Sequence, residues 1–283
     1  MPKSHSVTIV KASGEHVSFN EKKLAWSIER AGASKKLSRA AAAFIATRVR
    51  DGMTTREIAR LSRSFLASQR ERGVAMRYSL KDAMRKLGPE GYHFERYIAA
   101  VLRVHGYEAT LPDLIPGMHV RHEVDVVARR DGQCFEIECK YRNAPGLTVN
   151  LKDVMASWAR YDDLRAAHKA GKHPYAFDGA WVICNTRITT DGIAFGEGQG
   201  MRLIGWRYPA SGGLEQLIEG QRLYPITIIP SVTTEIRDAF ARVDFILCRD
   251  FVDRDAIAIA RRSGISVERI TRLQREAAMA LQS

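Results

Sequence analysis

Residues 122–140 read HEVDVVARRDGQCFEIECK, and the pattern is that of a β-hairpin. Two alternating runs, Glu123–Ala128 and Cys134–Lys140, flank Asp131-Gly132, a dipeptide suited to the two-residue turn between antiparallel strands. With that dipeptide as the loop, Arg130 pairs with Gln133. Continuing the register sets Asp125 across from Glu138 and Glu123 across from Lys140. Val124, Val126, Ala128, Phe135, Ile137 and Cys139 then share an apolar face that belongs against a core. The acids share the other face, which is expected to look out of that core. On it Glu136, opposite Val127, reads as a solvated or supporting acid.

Directly opposed carboxylates lie ~5 Å apart at Cβ and repel unless something positive sits between them. A hard divalent cation, Mg2+ or Mn2+, meets that need with oxygen ligands, and a nearby lysine can orient a nucleophilic water or offset charge on a phosphate. Asp125, Glu138 and Lys140 form that set. The structural alternative is a salt bridge between Glu123 and Lys140 across the hairpin.

The arrangement D-x12-E-x-K on a hairpin, after a helix bearing Glu95 in YHFERYIAAVLRVHGYEA, resembles the PD-(D/E)xK restriction-endonuclease-like superfamily near its Mrr-type nucleases. The likeness continues through WVICNTRITTDGIAFGEGQGMRLIGWRYP, similar to the second half of that domain. It implies a mixed sheet flanked by helices and a metal-dependent DNA endonuclease. Asp125, Glu138 and Glu95 would be the metal ligands, and Lys140 would join them as a catalytic residue. Double-strand cleavage would call for two active sites, hence a homodimer.

Upstream, VTIV and a returning strand at Val17 and Phe19 flank a Ser13-Gly14 turn. Asn20 suits an N-cap for a helix over Glu21–Gly32. Further helices are expected over Ser38–Asp51, from Thr54 with a capping-box spacing to Glu57, and over Ala75–Leu87. This stretch resembles the ATP-cone, a regulatory nucleotide-binding domain. The matching residues are Val10-Lys11, Gly14, Phe19-Asn20, Lys23-Leu24 and the T-x-x-E-I run at Thr54–Ile58. The resemblance implies ATP or dATP as regulator, held at Lys11, Asn20 and Lys23. The usual Lys-Arg-Asp-Gly is Lys-Ala-Ser-Gly here.

The fold class expected is α/β, in three parts. A mainly helical cone occupies 1–88 and closes at Gly88-Pro89. A nuclease domain over 89–224 begins with a helix at Glu90, and a small helical module fills 225–283. Within the second part, the helix Val149–Ala170 should cover the sheet, and a β-α-β crossover should run from Ala180 to Trp206. Arg142 beside Tyr141, and Asn185-Thr186-Arg187, could contact phosphate; Tyr141 could equally finish its strand and the Asn185 group cap its loop. The C-terminal helices are similar to helix-hairpin-helix DNA-binding units, without the G-x-G hairpin. Arg261, Arg262, Arg269 and Arg272 could meet a phosphate backbone there, or the helices could form a plain cap or dimerisation arm.

Composition agrees with a polyanionic partner, DNA first. The 283 residues carry 44 Lys and Arg against 32 Asp and Glu, a net charge of +12. The four cysteines show no C-x-x-C pair and read as reduced core thiols, arguing against a disulfide framework or zinc site. No apolar run approaches a bilayer span, so no membrane partner and a cytoplasmic setting are expected. The rival expectations are a catalytically inactive nucleic-acid-binding protein and a nucleotide-responsive regulator.

Overall fold

The computed structural model describes residues 7–88 and 92–282. Residues 1–6 and the expected boundary and helix start at Pro89 and Glu90 lie outside that description. The chain forms two compact units, one of Met1–Ala83 together with Ile226–Ser283, the other of Met84–Pro225.

The first unit begins with the hairpin β1 (Thr8–Val10) and β2 (His16–Ser18), in which Ile9 faces Val17. Helix α1 (Glu21–Arg30) starts at Asn20, whose side chain accepts from the Lys23 backbone N–H, as the sequence predicts. Helix α2 (Lys35–Ala46) starts three residues earlier than expected because Ser34 provides a cap. Helix α3 (Thr55–Ser68) carries the full Thr54–Glu57 capping box. The single helix expected over 75–87 is instead two, α4 (Arg72–Tyr78) and α5 (Leu80–Met84). Leu24, Ile28, Ala41, Ile45, Ile58 and Leu66 bring α1, α2 and α3 together in one core, which Val74 and Ala75 of α4 join.

In the second unit, α6 (Tyr92–Val104) precedes β3 (Glu108–Thr110), the short pair β4 (Ile115–Pro116) and β5 (Arg121–His122), and the central strands β6 (Val126–Arg130) and β7 (Gln133–Lys140). Then follow β8 (Thr148–Val149), α7 (Leu151–Lys169), β9 (Gly179–Cys184), β10 (Arg187–Ile188), α8 (Thr190–Gly198), β11 (Arg202–Ile204) and α9 (Leu214–Gly220). Five strands make a mixed sheet in the order β11-β9-β7-β6-β3; β7, β9 and β11 are parallel, while β6 and β3 run antiparallel to their neighbours. The hairpin register is the one read from Asp131-Gly132: Arg130 pairs with Gln133 and Val126 with Ile137. Both turn residues have positive φ, 52° and 78°.

β7 lies between β6 and β9 in mid-sheet, and both of its faces are covered. The expectation that its acidic face looks out of the core is therefore corrected. Val127, Cys134, Val182 and Cys184 lie in one cluster with Val154, Tyr161 and Leu164 of α7, which closes over that side.

The C-terminal residues supply α10 (Thr234–Ala241), α11 (Ala256–Ser263) and α12 (Val267–Leu281). Expected as a separate module over 225–283, they instead share the first unit. Helix α12 packs on α4 so tightly that a Cβ at Gly73 would fall 2.3 Å from the Met279 carbonyl oxygen. Arg77, only 8% exposed, donates to the carbonyls of Ala31 (2.8 Å), Ala280 (3.2 Å) and Gln282 (2.5 Å), and so ties the C-terminal ends of α1 and α12 together. A cation at two helix C-termini is favoured by both macrodipoles.

Candidate active site

Asp125 stands one residue before β6, where the register, continued, faces it to Glu138. Ladder pairing stops at Val126, and the Asp125 carboxylate instead accepts from the backbone N–H of Cys139 at 2.6 Å. Burial pushes its pKa up to about 6 against the pull of that bond, and the charge of Glu95 adds to the rise. Glu95, in the first turn of α6, is itself raised by burial and by Glu123. Yet no group of three or more His, Cys, Asp or Glu gathers to hold a metal among the described residues. Glu95 thus acts on Asp125 through space, as do the opposing charges of Arg160 and Lys140, the two cations that hold Glu138.

Glu138 is 5% exposed and engaged at both oxygens, one accepting from Lys140 Nζ and the other from Arg160 Nη1. The Glu123–Lys140 bridge weighed from sequence thus gives way to Lys140–Glu138. Arg160 was not foreseen. It projects from α7, whose start is fixed by the Asn150–Asp153 capping box and whose buried positions include Ser157, Tyr161 and Leu164. An arginine among those positions faces the sheet, a signal present in the sequence but masked by the assumption that the acids faced solvent.

Glu136 departs furthest from expectation. It is fully buried rather than solvated, and neither carboxylate oxygen has a hydrogen-bond partner. Burial pushes its pKa up to about 8, with Arg160 the main charge opposing the shift and Asp125 adding to it. Burial without a partner thus favours its protonated form.

The flanking arginine is committed elsewhere. Arg142 donates to Asp153 at 2.8 Å and to the carbonyls of Tyr141 and Thr148. Asn185 clamps the Arg142 backbone at both N–H and C=O, at 2.9 Å each, and is a buried structural residue. The Tyr141 hydroxyl donates to the Arg85 carbonyl, and its ring lies 5.6 Å from that of Phe94. A groove of about 470 Å³ lined by Arg129, Arg130 and Gln133 lies at the turn end of the hairpin, the opposite end from Asp125 and Glu138.

In the first unit, Lys11, Asn20 and Lys23 are exposed and close in sequence to the β1–β2 hairpin. Lys11 pairs with Glu15 at 3.0 Å, and the Asn20 side chain is occupied as the α1 cap. Arg261, Arg262, Arg269 and Arg272 are exposed; Arg262 also donates to the Val243 carbonyl, and Arg272 pairs with Glu276. All four cysteines are free and buried, as expected. Among the described residues no helix is long and apolar enough to cross a membrane.

Three comparisons bear on these sites. The family described as the ATP cone domain matches residues 7–87. An uncharacterised protein of Archaeoglobus fulgidus is 37% identical over 155 residues, covering 55% of this chain and 83% of the relative. A crystal structure of a protein of unknown function superposes with a TM-score of 0.59 and 33% identity, over 67% of this chain and 97% of that one.

Proposed function

This chain belongs to one family with the Archaeoglobus protein and carries an ATP-cone domain at residues 7–87, and from that premise we propose that it is a metal-dependent DNA endonuclease regulated by ATP or dATP. The observation that carries the reading is the hairpin register, which continued one residue past Val126 sets Asp125 opposite Glu138, with Lys140 on the same face of β7 and bonded to Glu138. The order of elements supports it. A helix, then antiparallel strands, then a parallel β-α-β follows the layout that the restriction-endonuclease likeness implies.

Two opposed carboxylates suit magnesium or manganese, which take one or two carboxylates and keep several waters. They do not suit zinc, which wants a fuller set of nitrogen and sulfur ligands. A magnesium ion held by Asp125 and Glu138 would supply a Lewis acid that polarises a phosphodiester and acidifies a water. Lys140 would bring its ammonium to the attacking water or to the charge developing on the phosphate. The net charge of +12 draws in the polyanion without reading its sequence. At the cone, Lys11 and Lys23 would meet nucleotide phosphates as point charges, and Asn20 would fix the helix beside them. Two sites cutting both strands would sit in a homodimer.

One observation favours the rival reading of a nucleic-acid binder without catalysis: Glu138 is engaged at both oxygens by cations of the chain itself. Cleavage of supercoiled and linear DNA by the wild type and Lys140→Ala decides between them, with magnesium or manganese and with or without ATP and dATP. Metal-dependent cutting that vanishes in the variant upholds the nuclease. DNA binding without cutting of any DNA or RNA, by a wild type given either metal, sinks it.

A further inference from the structure

The charge of the chain is not evenly shared. Residues 1–88 hold 19 Lys and Arg against 7 Asp and Glu, whereas residues 89–283 balance at 25 against 25, so the whole net charge of +12 belongs to the N-terminal part. A bound triphosphate needs only a few of those cations. The excess is densest from residue 22 to residue 50, where eight cations stand against one acid, Glu29. Two placements there do nothing for a helix bundle by itself. Trp26 of α1 leaves a large apolar ring 57% exposed. Lys35 and Lys36 open α2 with no acid in its first turn, at the positive end of the helix dipole, where cations are disfavoured. We propose that the side of α1 around Trp26 and the start of α2 form a docking surface for an unpaired strand of nucleic acid, carried by the first unit alone.

The chemistry suits base and backbone together. Lys22, Trp26 and Arg30 recur every four residues and so share one side of α1. The Arg30 guanidinium lies over the Trp26 ring, 4.8 Å from its centroid, and restrains it beside a positive charge. An exposed aromatic ring among cations holds a single strand by stacking a base while its neighbours take phosphates. Lys35, Lys36 and Arg39, all exposed, supply further phosphate contacts where the dipole of α2 favours an anion. A free nucleotide fits less well, because small ligands sit in concave sites that bury most of their surface, and Trp26 stands out from a helix. A base pair in a duplex keeps its faces within its own stack. An anionic membrane wants a stripe of apolar side chains to bury, and Leu24 and Ile28 of α1 are already in the core.

The test is fluorescence anisotropy of a labelled 20-nucleotide oligothymidylate with the full chain in EDTA, which reads binding without cleavage. Trp26→Ala should weaken binding about tenfold and Trp26→Phe should keep most of it, while both bind inorganic polyphosphate, which has charge but no bases, as the wild type does. Lys35→Gln with Lys36→Gln should lower the slope of log K against log salt by about 1.4, the release of two phosphate contacts on a single strand. Lys152→Gln with Lys169→Gln, exposed on α7, should leave that slope alone. All these side chains are exposed except the half-buried Arg30, which is left intact, and matching thermal melts rule out misfolding as the cause. Unchanged affinity in Trp26→Ala, an equal loss on polyphosphate, equal slope changes for the two lysine pairs, or a loss seen for ATP or phosphatidylserine vesicles in place of the oligonucleotide overturns the inference. So does a wild type that fails to bind the strand, whatever the second unit does to DNA. A chain that binds through Trp26 but never cuts upholds this surface and sinks the nuclease.

Discussion

Arg77 in the first unit and Glu136 in the second are both buried ionisable side chains, 8% and 0% exposed. Arg77 has three carbonyl partners at the ends of two helices, and its charge is used to join α1 to α12. Glu136 has none, and its burial favours the neutral carboxyl. A satisfied buried charge is explained by the fold it completes. An unsatisfied one calls for a purpose the fold alone does not supply, and it stands beside the carboxylates proposed to bind metal.

The contrast can be broken in four ways. If the acidic face of β7 is a working surface, Lys140→Ala lowers the cleavage rate by about 10³-fold, the scale of a lost charge stabilising a transition state, a loss far larger than the modest drop in thermal stability as buried Glu138 gives up one of its two donors. Arg77→Met should destabilise the first unit by about 3 kcal/mol or more, because three buried carbonyls lose their donor. Hydrogen exchange resolved by unit reads this, and a loss spread equally over both units would contradict the joint assigned to Arg77.

Glu136→Met should do the reverse, raising the stability of the second unit at pH 7 by about 1–3 kcal/mol. The sign follows from the proton count. Between its ordinary value of 4.5 and about 8, the folded protein keeps a proton on Glu136 that the unfolded chain has released, so this residue's contribution falls as pH rises through that window. Urea melts across the window should lose that slope in the variant; an unaltered slope would assign it to other groups. The smallest effect belongs to Lys11→Ala, whose exposed pair with Glu15 contributes under about 0.5 kcal/mol. Its melt should match the wild type while ATP binding weakens, and unchanged ATP affinity would remove Lys11 from the nucleotide site.

Local signals in the sequence were strong where their chemistry was local. Asp131-Gly132 dictated a turn with two positive φ values, and that turn set the whole hairpin register. Asn20, and Thr54 with Glu57, marked helix starts because their side chains bond to backbone only a few residues away. The environment of the acids was not legible in the same way. Alternation distinguishes two faces of a strand but does not say whether a helix closes the polar one, and glutamates at 136 and 138 make a buried face look wet. Arg160 escaped for the same reason, since its partner lies 22 residues away. The union of α12 with α4 depends on contacts about 200 residues apart, such as Arg77 to Ala280, which no local pattern encodes.

That union has a consequence for synthesis. As the chain leaves the ribosome, residues 84–225 can close their own core while the first unit still lacks α12. The surface of α4 around Gly73, shaped to accept the Met279 backbone, stays bare until the end of that helix arrives. Domains usually mature from the N-terminus onward. Here the unit that starts first is completed last, and a polypeptide stopped after residue 225 would hold all of the second unit and a first unit without α12.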